Sequence, residues 1–439
     1  MNKLITDAVR GRACGRAWRL RWGLTGLLLL VAVLGPTSRA VAADGLRELT
    51  RYSSRYYTIH TNLLRTEAVS YGAHMDLVFA SYAKRLRTLR GKKQDRQNLY
   101  LLRTHADYIK TLQDIGLNGT GTGGVFFWAG QRSGLATWVE GRPRGRTLAV
   151  LQHEGFHQFA RARLGDQLPI WVNEGLAEYF EHSIVVAGKL RSGIVDADRL
   201  ATVQRAVERN VAIPFGQLLN RTHTQWNRAV SSGDAKTGLQ YAQSWSIVHF
   251  LAHGDNGRYE GAFNRYLIGL SKGEGHAQAF IKAFGSEDTE PFAKRWRAFI
   301  ETAEPDNFSE AVNRVQFLAA GMRATGGDAG WPDSLETLRQ RMTERGFRLT
   351  YNGDGGRQTL KASDPKWYGY LDDAGQEQPF ELRVAESSPS SPERQGAADL
   401  PPTLVAAGLN PPVHLTWTRD ADGALKPEVT YGKVSRRRR

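Results

Sequence analysis

The most constraining feature of this 439-residue chain is the pattern His153-Glu154-Gly155-Phe156-His157, set between Leu151-Gln152 and Gln158-Phe159. On an α-helix, positions i and i+4 lie one turn apart on one face, so His153 and His157 can offer two imidazole nitrogens to one metal ion. Glu154 stands beside them, placed to take a proton from water that the metal activates. Leu148, Leu151, Phe156 and Phe159 surround the pair, the pattern of a buried helix rather than a solvated histidine run. Sixteen residues separate His157 from Glu174, within a second helix-like segment, Trp171-Val172-Asn173-Glu174-Gly175-Leu176-Ala177-Glu178-Tyr179-Phe180. A zinc ion that does chemistry takes three protein ligands and keeps one position open. Glu174 is the natural third ligand. Glu178, one turn on, is placed to accept the spare N–H of a ligating histidine. The same residues also admit a plainer reading: two core histidines, with Glu174 on a solvated face.

His-Glu-Gly-Phe-His at 153–157, followed by Asn-Glu-Gly-Leu-Ala-Glu at 173–178, resembles the gluzincins, the thermolysin-like peptidase clan, and especially its exported peptidase-MA-like members. The likeness is specific over residues 147–181 and looser to about 301. It implies zinc held by His153, His157 and Glu174, with Glu154 as general base and Glu178 where thermolysin-like enzymes carry Asp. The spacing of sixteen residues is slightly shorter than in the better-known gluzincins. A metzincin is excluded, because residues 158–165 contain no third histidine. The resemblance also implies a strand ahead of the first helix along which an extended peptide lies, and 125–128 and 135–139 are the candidates.

Such a site needs a donor for the oxyanion of the tetrahedral intermediate. Tyr241, Trp245 and His249 fall at i, i+4 and i+8 of a helical pattern at 239–253. Tyr241 is the first candidate and His249 the second; the stripe also reads as ordinary core. The motif Gly119–Gly124 formally matches G-x-G-x-x-G but precedes a strand rather than a helix, so it reads as a turn and not a nucleotide loop.

Composition supplies an address. Residues 1–22 carry Lys3, Arg10, Arg12, Arg16, Arg19 and Arg21, an apolar run follows at 23–34, and Ala40-Val41-Ala42 offers small residues for cleavage. That is the layout of a signal peptide over 1–43, with an uncleaved anchor as the alternative. The single cysteine, Cys14, lies in the segment to be removed, so thiolate metal sites are excluded from the exported chain. The net charge of +15 is concentrated at the ends. Residues 1–43 carry +6 and the terminal arginines 436–439 carry four more, leaving +5 over the body. That is too diffuse for a nucleic-acid binder and compatible with association at an anionic envelope surface.

Taken in order, strands are expected at 56–61, 98–103, 125–128 and 135–139, and helices at 66–89 and 105–116. Thr147 is the expected cap of the motif helix, which Gly165 stops. Residues 226–237 read as a polar loop, and helices follow to about 301. The break at Thr302-Ala303-Glu304-Pro305 divides a catalytic unit, 44–303, from a small α+β accessory unit, 304–439, with a Ser/Pro-rich loop at 387–402. The expected whole is α+β: a gluzincin-like metallopeptidase domain with a mixed sheet and helical lobe, plus the accessory unit. The expected activity is exported, zinc-dependent hydrolysis of peptide bonds in a peptide or protein substrate, outside the membrane. The rival is a non-catalytic envelope protein whose zinc pins helices together. A cell-wall amide as substrate would use the same site.

Overall fold

The computed structural model describes residues 49–87, 95–129, 132–140, 142, 144–186, 188–231, 236–326, 330–353, 356–384, 400–419 and 423–433. The expected signal segment, most of the Ser/Pro-rich loop and the terminal arginines lie outside the described residues. Among the described residues, no helix is long and apolar enough to cross a membrane.

The chain opens with β1 (Thr50–Ser53), β2 (Tyr57–Thr61), α1 (Arg65–Arg85), β3 (Gln97–Leu102), α2 (His105–Gln113) and the hairpin β4 (Gly124–Ala129) and β5 (Arg132–Trp138). There follow α3 (Arg144–Leu164), α4 (Ile170–Glu181) and a short hairpin, β6 (Ile184–Val186) and β7 (Lys189–Arg191). A helical stretch comes next: α5 (Ala197–Glu208), α6 (Phe215–Leu219), α7 (His223–Ser231), α8 (Lys236–Gly257), α9 (Glu260–Ser271), α10 (His276–Phe284) and α11 (Glu290–Thr302). The last part holds α12 (Asn307–Thr325), α13 (Leu335–Glu344) and β8 (Arg348–Gly353) through β15 (Leu425–Tyr431), of which Glu381–Arg383, Thr403–Ala406, Val413–Arg419 and Leu425–Tyr431 form one antiparallel sheet. The architecture is α+β.

The first sheet places the site. Its order is β1-β2-β3-β5-β4, parallel from β2 through β3 to β5 and antiparallel at both ends. Of the two strands put forward as a peptide-binding edge, β4 is the edge and β5 is internal. Phe126 pairs with Leu135, and its backbone N–H turns away from β5 to donate to Glu154. α1 and α3 pack on the sheet through Tyr57, Phe79, Tyr82, Phe156 and Phe159, with edge-on ring contacts of 5.1–6.1 Å along this seam. Gly165, at φ +63°, ends α3 as expected.

Two elements depart from expectation. α3 begins one turn before Thr147, which is buried inside the helix rather than capping it. The segment read as a polar loop is largely α7, and its Trp226 is fully buried edge-on to Tyr241, ring centroids 5.0 Å apart. A two-turn helix that buries only Trp226 and Val230 has too few apolar residues for a helical period to stand out.

One large apolar cluster runs from Tyr57 to Ile300, a smaller one lines α2, β4 and β5, and another runs from Phe308 to Trp417. The last cluster meets the first through polar contacts. Asp306 N donates to Val195 O at 3.0 Å, Arg191 pairs with Asp306 at 3.1 Å and Ser309 Oγ reaches Asp196 at 3.4 Å.

At the centre of the helical part, α4 lies directly against α8. A Cβ on Gly175 would stand 2.6 Å from the carbonyl oxygen of Ser244 and 2.7 Å from Val248. Backbone on the far side cannot yield as a flexible side chain can. Gly175→Ala is therefore expected to force the two helices apart and lower stability by about 1–3 kcal/mol, read as a shift of the denaturant midpoint. Unchanged stability would show that the α4–α8 contact is not close.

Candidate metal centre

α3 and α4 cross with their polar faces turned inward, and that crossing brings the motif residues together. His153, His157 and Glu174 are 0%, 2% and 0% exposed, and Glu154 is 3%. The imidazole rings sit 4.7 Å apart at 73° to one another. Glu174 Oε2 lies 3.5 Å from His153 Nε2 and 3.6 Å from His157 Nε2. Both separations exceed ordinary hydrogen bonds. Two ligands bound tetrahedrally at ~2.0–2.2 Å from one ion stand roughly 3.4 Å apart, which is the spacing found here.

The orphaned atoms point the same way. His153 Nε2, His157 Nε2 and both carboxylate oxygens of Glu174 are buried without a hydrogen-bond partner. Leaving one such group dry and unpaired costs about 1–3 kcal/mol, and more when it is charged. One cation among them would satisfy both facing Nε2 atoms and the carboxylate, while His157 Nδ1 is a further buried nitrogen without a hydrogen-bond partner. The residues fit a metal ion.

Around this trio the protein builds an ionic frame. His153 Nδ1 has Glu181 Oε2 at 3.1 Å and Glu178 Oε1 at 3.6 Å. Glu178 was the expected orienting group; the nearer one is Glu181, seven residues after Glu174. The seven-residue step also returns to the same face of a helix, so its position is consistent with 3.6-residue periodicity. Arg199 of α5 grips Glu178 and stands 3.6 Å from Glu181, while Arg146 pairs with the other Glu181 oxygen at 3.3 Å. Arg199 is aimed by its own helix start, where Asp196 accepts from Arg199 N at 2.9 Å. Four buried carboxylates, Glu154, Glu174, Glu178 and Glu181, thus confront two guanidinium groups, the buried Arg199 and the partly exposed Arg146, and a divalent cation would offset the remaining negative charge.

α3 also fixes the end of α4. The Gln152 side chain donates to the carbonyls of Phe180, Glu181 and Ser183 at 3.0, 2.6 and 3.0 Å and takes His74 Nε2 at 2.8 Å. Phe180 O also accepts Ser183 N–H at 3.0 Å, so the added donor matters most at the terminal carbonyl of Glu181. Neither Gln152, Arg199 nor Glu181 belongs to a recognisable motif, which is why sequence reasoning missed them.

Glu154 accepts Phe126 N–H at 2.7 Å, tying it to the edge strand. Burial, assisted by Glu174 and Glu181 and opposed by His153 and the Phe126 N–H, pushes its carboxyl up to about 7. Burial alone would lower His153, but Glu174, Glu181 and Glu178 outweigh it and raise the imidazole well above its usual value. His157 goes the other way, down to about 4, chiefly through burial and with His153 adding to the effect. His223 on α7 also acts on His157 electrostatically, a neighbour the sequence gave no reason to single out.

The two oxyanion candidates separate. Tyr241 is buried edge-on to Trp226, and its hydroxyl is raised first by burial and then by the charges of Glu174, Glu178 and Glu154. His249 instead sets Nε2 3.2 Å from the carbonyl of Gly193, with its ring among Trp245, Tyr179, His253 and Phe299. That packing is the core role its helical stripe also allowed.

Purified chain is expected to take up about one divalent ion, and Glu174→Ala to lose most of it, by elemental analysis. Retained stoichiometric metal in the variant would remove Glu174 from the ligand set. Because His153 holds a proton near neutral pH without metal, and a ligating imidazole must be neutral, uptake should release on the order of one proton. Binding then weakens as the pH falls. Calorimetry in buffers of different ionisation heat reads this directly, and an enthalpy independent of buffer would rule it out.

Residues 147–267, from within α3 to within α9, match the model of a family described as "Protein of unknown function (DUF1570)". No curated protein matches the chain.

Proposed function

We propose that this chain is an exported zinc metallopeptidase of gluzincin type, hydrolysing peptide bonds with Glu154 as general base. The observation that carries the reading is the convergence of His153 Nε2, His157 Nε2 and the Glu174 carboxylate, all buried and unpartnered, with Glu154 anchored beside them. Two imidazoles and one carboxylate are a donor set that suits zinc, and three protein ligands are the complement of a catalytic ion. A zinc ion held there acidifies water and polarises a carbonyl.

The chain's own residues account for the rest. Glu154, buried and tied to the Phe126 N–H, is placed to accept and return a proton. As water adds to the scissile carbonyl carbon, one of its protons passes to Glu154. As the C–N bond breaks, that proton goes to the departing amine, and the remaining acid proton is lost to solvent. Tyr241, a buried phenol kept protonated by its surroundings, supplies a donor for the oxygen that gains charge. β4, the open edge of the sheet, presents the outward carbonyl of Phe126 and the outward backbone groups of Trp128 to an extended peptide. Glu181 and Glu178 hold His153 in the orientation that leaves Nε2 facing Glu174.

A structural ion is the second reading, and one observation favours it: the ligands and Glu154 are at most 3% exposed. An ion closed off by four protein donors would have no place for substrate.

Glu154→Gln decides between them. The variant should keep the metal, because Glu154 is not one of the converging ligands, and lose about 10²–10⁴-fold in peptide hydrolysis, measured on a peptide library against wild type. Equal hydrolysis by the variant would falsify the assignment of Glu154. Absence of hydrolysis in metal-loaded wild type across the library would favour the structural ion.

A further inference from the structure

The stretch between α4 and α5, residues 182–196, ties the metal centre to the part of the chain built on the last apolar cluster. At its front, Gln152 holds the carbonyls of Glu181 and Ser183 at 2.6 and 3.0 Å, and Ile184 packs against the cluster that runs from Phe308 to Trp417. At its back, Val195 O accepts Asp306 N–H at 3.0 Å, and Asp196 has Ser309 Oγ at 3.4 Å. Between the two, Arg191 pairs with Asp306 at 3.1 Å and lies over the Phe308 ring, 5.9 Å from its centroid. The frame around the metal centre thus grips one side of this stretch, and the start of α12 grips the other.

α12 is itself rooted in the C-terminal part of the chain. Phe308, Ala311, Val315 and Leu318 are buried in the last cluster, Asn307 Nδ2 donates to Asp372 O at 2.9 Å, and Arg314 donates to Gly369 O at 2.9 Å. Asp196 is where the two sides meet. One of its oxygens accepts Arg199 N–H at 2.9 Å, and the other faces Ser309 and, at 3.5 Å, His182 Nδ1. Burial would raise its carboxyl, but His182, Arg199 and the Arg199 N–H outweigh it and hold the group below its usual range. A buried charge of this kind depends on each of its donors. Arg199 leaves the same turn and reaches Glu178 and Glu181, which flank His153 Nδ1. Ser309, Asp196, Arg199, Glu181 and His153 therefore form an unbroken series of polar contacts, none longer than 3.6 Å.

We propose that the C-terminal part of the chain is a clamp on the metal centre: docking of α12 against residues 182–196 and occupancy of the His153, His157 and Glu174 site favour one another. The proposal goes beyond the hydrolase reading and needs only the metal centre. With α12 docked, Asp196 is fixed, Arg199 is aimed, and Glu178 and Glu181 hold His153 with Nε2 toward Glu174. With α12 displaced, Asp196 loses Ser309, Val195 loses its donor, and the first turn of α5 is released on one side. With His153 held by an ion, Glu181 and Arg199 are steadied, and with them the seat of α12. Such coupling is reciprocal: the factor by which docking tightens the metal is the factor by which the metal tightens docking.

Two variants of the full chain test this. Ser309→Ala removes the contact with Asp196, and Arg191→Met removes the pair with Asp306. Arg191 is 46% exposed, so its variant keeps the test valid if Ser309→Ala does not fold. Zinc affinity is read by competition with a chelating dye, and amide hydrogen exchange by mass spectrometry with and without zinc. In the wild type, zinc should slow exchange over residues 182–199 and over the first turns of α12. Each variant should bind zinc about three- to tenfold more weakly, less than the roughly 10–100-fold lost when a group touching a ligand is removed, and should lose part of the α12 protection. Arg191→Lys, which keeps a cation for Asp306, should recover most of the affinity. Unchanged zinc affinity in the folded variants, or α12 exchange indifferent to zinc, overturns the clamp and leaves the metal centre in place. No zinc uptake by the wild type overturns both. Weakened zinc binding in the variants of a chain that cleaves no peptide supports the clamp and removes only the hydrolase reading.

Discussion

The structure depends on one electrostatic problem: two imidazoles and a group of carboxylates are held between α3 and α4, out of water. Charges so buried are tolerated only when each has a partner. Arg199 answers for Glu178 and Glu181, and Glu181 answers for His153 Nδ1. The facing nitrogens of His153 and His157 and the Glu174 oxygens have no such answer among the described residues. A divalent cation removes both the unpaired atoms and the excess negative charge. The same frame that stabilises the metal-bound chain therefore makes the metal-free chain costly.

Much of the surrounding fold serves to hold α4 in register. Gly175 lets it approach α8 at backbone contact, Gln152 takes up the carbonyls at its end, and Arg199 grips its carboxylates from α5. On the other side, α3 rests on the sheet through an aromatic seam, and the edge strand reaches Glu154 through a single N–H. Glu154 and His153, neighbours on α3, are thus steadied by different elements, Glu154 by β4 and His153 by the carboxylates of α4. The last apolar cluster, from Phe308 to Trp417, meets this frame through Asp306 and Ser309 at the start of α12, next to the Asp196 that caps α5, through Ile184, and where β15 lies against α3.

How far each residue was legible follows from the range of the signal it leaves. His153 and His157 are four apart on one helix, and the period alone puts them on one face. Glu174 was legible because its helix carries carboxylates at helical spacing soon after the pair. Glu181 and Gln152 left no comparable signal: a glutamate at the end of a helix and a glutamine beside a histidine are common. Arg199 is further still, distant in sequence from both carboxylates it serves. Trp226 was misplaced because its helix is short and buries too little to show a period. Tyr241 and His249 lie on one face of α8, but two turns apart they meet different neighbours, Trp226 for the one and the Gly193 carbonyl for the other.

By itself, the sequence determined the paired-helix pattern, the candidate ligand types, the chain's α+β character and the hairpin of β4 and β5, because these follow from four-residue spacing on a helix and from short apolar and aromatic runs around a turn. Only the tertiary structure decided that β4 is the open edge, that Glu181 stands nearer His153 than Glu178 does, and that Gln152 takes up the carbonyls at the end of α4. Those are relations between elements far apart in sequence, set by how helices and sheet pack against one another, and no local period encodes them.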